Sequence, residues 1–188
     1  RGWTWLAVLT ALLADLAVLT ALIRARAGPS HEAIPVVLAL QAVLIAIYLA
    51  SFAARALDRA PLGIFEYAQG ALVLAIGLGG AIALVRTDEF ISVAVAVATL
   101  GSAGVGYWIA FGPLRRREAG AGTVHFFTSV GFVLALASGR LLLADTPYAF
   151  MLAAGAVAAV GIGASTRSAA MLVHGVLALS AALALSGA

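Results

Sequence analysis

The sequence predicts an all-α fold: a polytopic transmembrane helix bundle of about seven spans in a single domain, 1–188. Three observations predict it. The first is composition. Of 188 residues, 64% are hydrophobic and 10% charged, with mean hydropathy +1.11. A soluble domain carries roughly 25% charged residues and about half apolar ones, so this excess fits a bundle solvated by lipid. The second is spacing. Seven apolar runs recur, most of about twenty residues, the length that crosses a hydrocarbon core at about 1.5 Å per residue. The third is placement, since the basic residues are all arginine and fall mostly between the runs.

The first run, about 3–23, reads WTWLAVLTALLADLAVLTALI and stops at Arg24 and Arg26. It is too long for the apolar core of a signal peptide, and it contains an acid. In the connection GPSHEAIP, Ser30 is placed to cap the second span, about 34–53, with Pro35 tolerated in its first turn. Arg55, Asp58, Arg59 and Pro61 lead to the third span, 64–85, and the tight turn Arg86 to Glu89 leads to the fourth, 90–111. The segment PLRRREAGAG, 113–122, is the most polar and is a candidate linker between four helices and three. The fifth span is about 124–144, the sixth 148–164 after Pro147, and the seventh 169–185. The last two are near the lower limit for crossing.

Short loops make the arginine count a guide to orientation. The side of the N-terminus holds Arg1, Arg55, Arg59, Arg115, Arg116, Arg117 and Arg167; the other holds Arg24, Arg26, Arg86 and Arg140. The expectation is a cytoplasmic N-terminus. The same placement accounts for the pI near 10 without nucleic-acid binding. Lysine and asparagine are absent while Ala, Leu, Val, Gly and Arg abound, which reads as the codon bias of a GC-rich genome, so the bacterial inner membrane is the expected location. Absence of cysteine excludes disulfides, thiolate nucleophiles and thiolate metal sites, and absence of lysine excludes a retinal-type Schiff base.

Side-chain stripes suggest how the helices pack. Small residues recur every fourth position at Ala71, Ala75, Gly79 and Ala83, at Ala94, Ala98, Ser102 and Gly106, and at Gly155, Ala159 and Gly163. In lipid, such stripes let backbones approach closely. They predict that the third, fourth and sixth helices are the most buried, or that they dock another subunit. Aromatic residues crowd the expected cytoplasmic half, from Trp3 and Trp5 to Tyr48, Phe65, Tyr107, Trp108 and Phe127. Beyond interfacial anchoring, that asymmetry is consistent with a partner or a planar apolar ligand there.

Polar residues inside spans are the candidate site. A charged Asp15 at mid-span costs several kcal/mol, so it is expected to be neutral, paired or beside water. Gln41 lies at a similar depth on the second span, and a hairpin would bring the two level. Arg140 is a third possible partner. A second group, Glu66, Gln69, His125 and His174, lies in the first two turns of spans that begin on the cytoplasmic side. Glu66 can cap its helix. His125 and His174 are candidates for haem ligation, differing in depth by about 5 Å or more. No metal site or catalytic residue is expected: HExxH, Walker and dinucleotide glycine patterns are absent, and the serine in Gly101-Ser102-Ala103-Gly104 sits wrongly for GxSxG. No Pro falls inside an expected span beyond its first turn, and Gly77, Gly79 and Gly80 are the one candidate for a broken helix.

The expected function is therefore non-catalytic: a scaffold or accessory subunit of a larger bacterial membrane complex, whose partners are lipid and other membrane subunits. No cofactor is expected, with haem, bound lipid or pigment as options. The first alternative is a small proton-coupled transporter or channel using Asp15. The second is a haem- or quinone-binding electron carrier using His125 and His174, and a third is the membrane part of a sensor.

Overall fold

Where no water reaches the backbone, each peptide N–H and C=O must bond within its own segment, and the apolar runs fold as helices for that reason. The structure, a computed structural model, describes residues 3–27, 33–58, 63–85, 89–116 and 120–186. These form α1 (Trp3–Ala27), α2 (Ala33–Leu57), α3 (Ile64–Val85), α4 (Glu89–Ile109), α5 (Ala121–Leu142), α6 (Asp145–Thr166) and α7 (Ala169–Ser186). Six of them, α2 to α7, are long and apolar enough to cross a membrane. The capping role expected of Ser30, the turn at 86–88 and residues 117–119 lie outside the described residues, as do the side chains of Trp3 and Trp5.

Several boundaries differ by three residues or more from those the sequence predicts: α1 and α2 each run four residues further, α5 starts three earlier, and two other shifts involve a proline. The fourth helix does not stop before Pro113. It continues through a five-residue π-helical turn, Ala110–Leu114, with Pro113 inside it, and on to Arg116. Proline lacks an N–H and its ring crowds the carbonyl one turn back, and a widened turn accommodates both. The sixth helix begins at Asp145, three residues before the expected start, because Pro147 is tolerated in a first turn whose N–H groups have no intrahelical partner. It is then 22 residues long rather than marginal.

The chain divides into two units, Arg1–Asp88 and Glu89–Ala188. The division follows α3, whereas the polar segment 113–122 lies within the second unit. There α4 and α5 are joined closely: Ser138 Oγ donates to the Ala96 carbonyl at 2.8 Å, and a Cβ on Gly106 would stand 3.3 Å from the Phe127 carbonyl. Ser138→Ala is expected to lower stability by about 0.6 kcal/mol, the typical worth of such an interhelical bond in a membrane protein, measured by reversible unfolding in mixed micelles. Tyr148, Leu152, Ala156, Ala178 and Ala182 form the α6–α7 core, with Phe132 and Leu136 of α5 packed against it.

Of the three helices that the small-residue stripes mark as most buried, α3 is so, but α5 takes the place of α4 and α6. On α3, Ala71, Ala75 and Gly79 are exposed, while Glu66, Gln69, Gly70, Val73, Gly77 and Gly80 are buried. Small residues permit close approach but do not specify which face receives it. Between α6 and α7 the chain turns at Arg167, the one non-glycine residue with positive φ among those described, at 53°. The Ser168 N–H bonds the Gly163 carbonyl at 3.0 Å, closing a Schellman motif with Arg167 at its left-handed position. A Cβ there costs about 1–2 kcal/mol, so Arg167→Gly is expected to raise the unfolding free energy by about 1 kcal/mol.

Candidate functional site

The polar residues of the first unit stack in layers along α1, α2 and α3. Each layer follows from helical rise, three or four residues per step and thus about 4.5–6 Å. At the α2–α3 turn, Glu66 reaches back to accept the Gly63 N–H at 2.8 Å, capping α3 as expected, and pairs with Arg55 Nη1 at 2.5 Å. One turn further in, Gln69 Nε2 donates to Asp15 Oδ2 at 2.5 Å. Tyr48 of α2 packs beside this layer, against the apolar cluster of Val18, Leu44 and Val73. Asp15 is 2% exposed, and its other oxygen, Oδ1, has no protein partner.

The next layer is apolar. Val18, Leu44 and Val73 close over the Asp15 layer, with Ala14, Ile45 and Ile76 packed against them. Beyond it lies Gln41, 1% exposed, with neither Nε2 nor Oε1 partnered. Gly80 and Leu22 adjoin its amide, and a Cβ on Gly80 would collide with both. The hydrogen bond expected between Asp15 and Gln41 is therefore replaced by Asp15–Gln69. Leu22 is seven residues from Asp15, so Gln41 sits two turns, about 10 Å, beyond the acid. Equal distances from helix ends do not make residues level, because helices in a bundle shift along one another.

The glycines of α3 serve packing rather than a break. α3 is continuous from Ile64 to Val85, and a Cβ on Gly77 would strike Ile45. Gly77 and Gly80 thus let α2 and α1 press against α3 and place Gln41 between them.

The remaining candidates lie in the second unit. Arg140 pairs with Asp145 at 3.2 Å, and both side chains are exposed. His174 is buried, stacked flat on Phe132 at 4.4 Å between centroids, with Nε2 at 3.3 Å from Ser129 Oγ. His125 lies one turn before Ser129 on α5, about 6 Å nearer the helix start. The Nδ1 atoms of both histidines lack a protein partner. Among the described residues no three His, Asp or Glu side chains group to hold a metal ion.

Tyr48 is the residue beside the first-unit cluster that the sequence pattern does not single out. Its position seven residues from Gln41, on one face of α2, is the available signal. Compared with family models, curated proteins and solved structures, the chain finds no match.

Proposed function

We propose that the chain is a seven-span bacterial inner-membrane protein, N-terminus cytoplasmic, that moves protons through α1–α3 as a small proton-coupled transporter or channel, with Asp15 as the proton-carrying group. The observation that carries this reading is the Asp15 carboxyl group itself: it is buried at mid-helix, held through one oxygen by Gln69, with the other oxygen free of protein partners. Such a group is costly in lipid, and one neutral amide donor offsets only part of the cost. A site kept at that cost without structural completion is suited to taking up and releasing a proton.

The layers give the path its order. Arg55 and Glu66 stand at the entrance, Asp15, Gln69 and Tyr48 come next, and the apolar layer of Val18, Leu44 and Val73 separates them from Gln41. A dry layer blocks continuous water, which is what prevents free leakage until the helices move. The test is proton uptake by reconstituted vesicles under an imposed potential, read with an internal pH-sensitive dye. Wild-type protein is expected to exceed protein-free vesicles. Equal rates overturn the reading.

A second reading, the accessory subunit, is favoured by one observation. The small-residue face of α3 is exposed, and nothing lies within 4 Å of a Cβ built on Gly79, Gly101, Gly104 or Gly155. These faces admit another helix at close range. Mild-detergent purification from the native membrane tests it: stoichiometric co-purifying membrane proteins support it, and a chain that elutes alone removes it.

A further inference from the structure

We propose that the end of α4 is a docking site for an anionic phospholipid headgroup, formed by Trp108, Arg115 and Arg116. The site shares no residue with the Asp15 cluster and rests on three observations. Trp108 is 67% exposed on a helix whose apolar length ends at Leu114. Its indole leans along the helix over Gly112, where a Cβ would stand 3.8 Å from Nε1, so the N–H edge is directed toward the helix end. Arg115 and Arg116 follow at once, both exposed and without an ion pair among the described residues.

The π turn aligns these parts. An α-helix would place the residue seven positions after Trp108 on its face. The extra residue in the turn at Ala110–Leu114 carries that face on from Trp108 and Gly112 to Arg116 instead. An indole ring bedded among acyl chains, with its N–H directed outward, then stands below a guanidinium that offers several donors to phosphate oxygens. Gly112 leaves the ring room to lie flat, and Arg115 beside it adds a second positive charge. A zwitterionic headgroup also carries phosphate, but its own cation opposes the arginines. The charge balance therefore selects a net-negative lipid.

The experiment uses the full chain with Trp3→Phe and Trp5→Phe, which leaves Trp108 alone of the three tryptophans. Reconstituted in phosphatidylcholine with a minor fraction of brominated phosphatidylglycerol, Trp108 is expected to be quenched several-fold more than by the same fraction of brominated phosphatidylcholine. Each arginine replaced, as Arg115→Gln or Arg116→Gln, is expected to reduce that enrichment about five-fold. The pair Arg115→Lys with Arg116→Lys, which preserves charge and orientation, is expected to retain most of it. Equal quenching by the two brominated lipids overturns the proposal. So does unchanged enrichment in the glutamine variants, and so does displacement by millimolar inorganic phosphate, which would indicate a general anion site.

Discussion

Asp15→Asn is expected to bring proton uptake into reconstituted vesicles down to the level of protein-free vesicles, with folded yield and melting temperature close to wild type. The two outcomes separate because of the geometry. Asn is nearly isosteric with Asp and keeps an oxygen to accept the Gln69 Nε2 hydrogen bond, so the α1–α3 contact survives. What the variant removes is the titratable group. Asp15→Leu is the contrasting case. It leaves the buried Gln69 amide without the carboxylate, and an unsatisfied buried donor costs about 1–3 kcal/mol, so this variant should lose stability as well as transport. If Asp15→Asn transports protons like the wild type, Asp15 is a structural residue and the proton path lies elsewhere.

Gly131→Leu is expected to have the largest effect on stability, at least about 2–3 kcal/mol or outright failure to fold, followed by unfolding in mixed micelles. A Cβ on Gly131 would stand 3.1 Å from the Ala103 carbonyl and 3.0 Å from the Tyr107 ring. The carbonyl is backbone and cannot turn aside, so α4 and α5 must separate along their whole length. That separation would also strain the Ser138 to Ala96 hydrogen bond two turns away. Gly104→Leu is the matched control on α4: no heavy atom lies within 4 Å of a Cβ there, and its stability is expected to change by less than about 0.5 kcal/mol. Similar losses from the two substitutions would show that glycine matters for helix flexibility rather than for contact.

Part of the site is legible in the sequence alone. Asp15, Gln41, Gln69 and His174 stand out because a membrane interior tolerates few polar side chains, and all four are buried. Glu66 is readable as a helix cap from its place in the first turn, and it does cap Gly63. Partners are not legible. Asp15 and Gln41 look level when counted from the ends of their helices, yet a layer of Val18, Leu44 and Val73 separates them. The count fails because the offset of α1 along α2 is set by which side chains interdigitate, and no local pattern encodes it.

The same contrast runs through the whole chain. Composition and run length dictated the class of fold, the number of helices and, within a few residues, their ends. These follow from one local requirement, that every backbone polar group in lipid be bonded within its own segment. The pairing of Asp15 with Gln69, the inward turn of Gly77 and Gly80 rather than Gly79, and the passage of α4 through Pro113 depended on the packed bundle. Each is a choice between faces or depths that differ little within one helix, and neighbouring helices make it by contact.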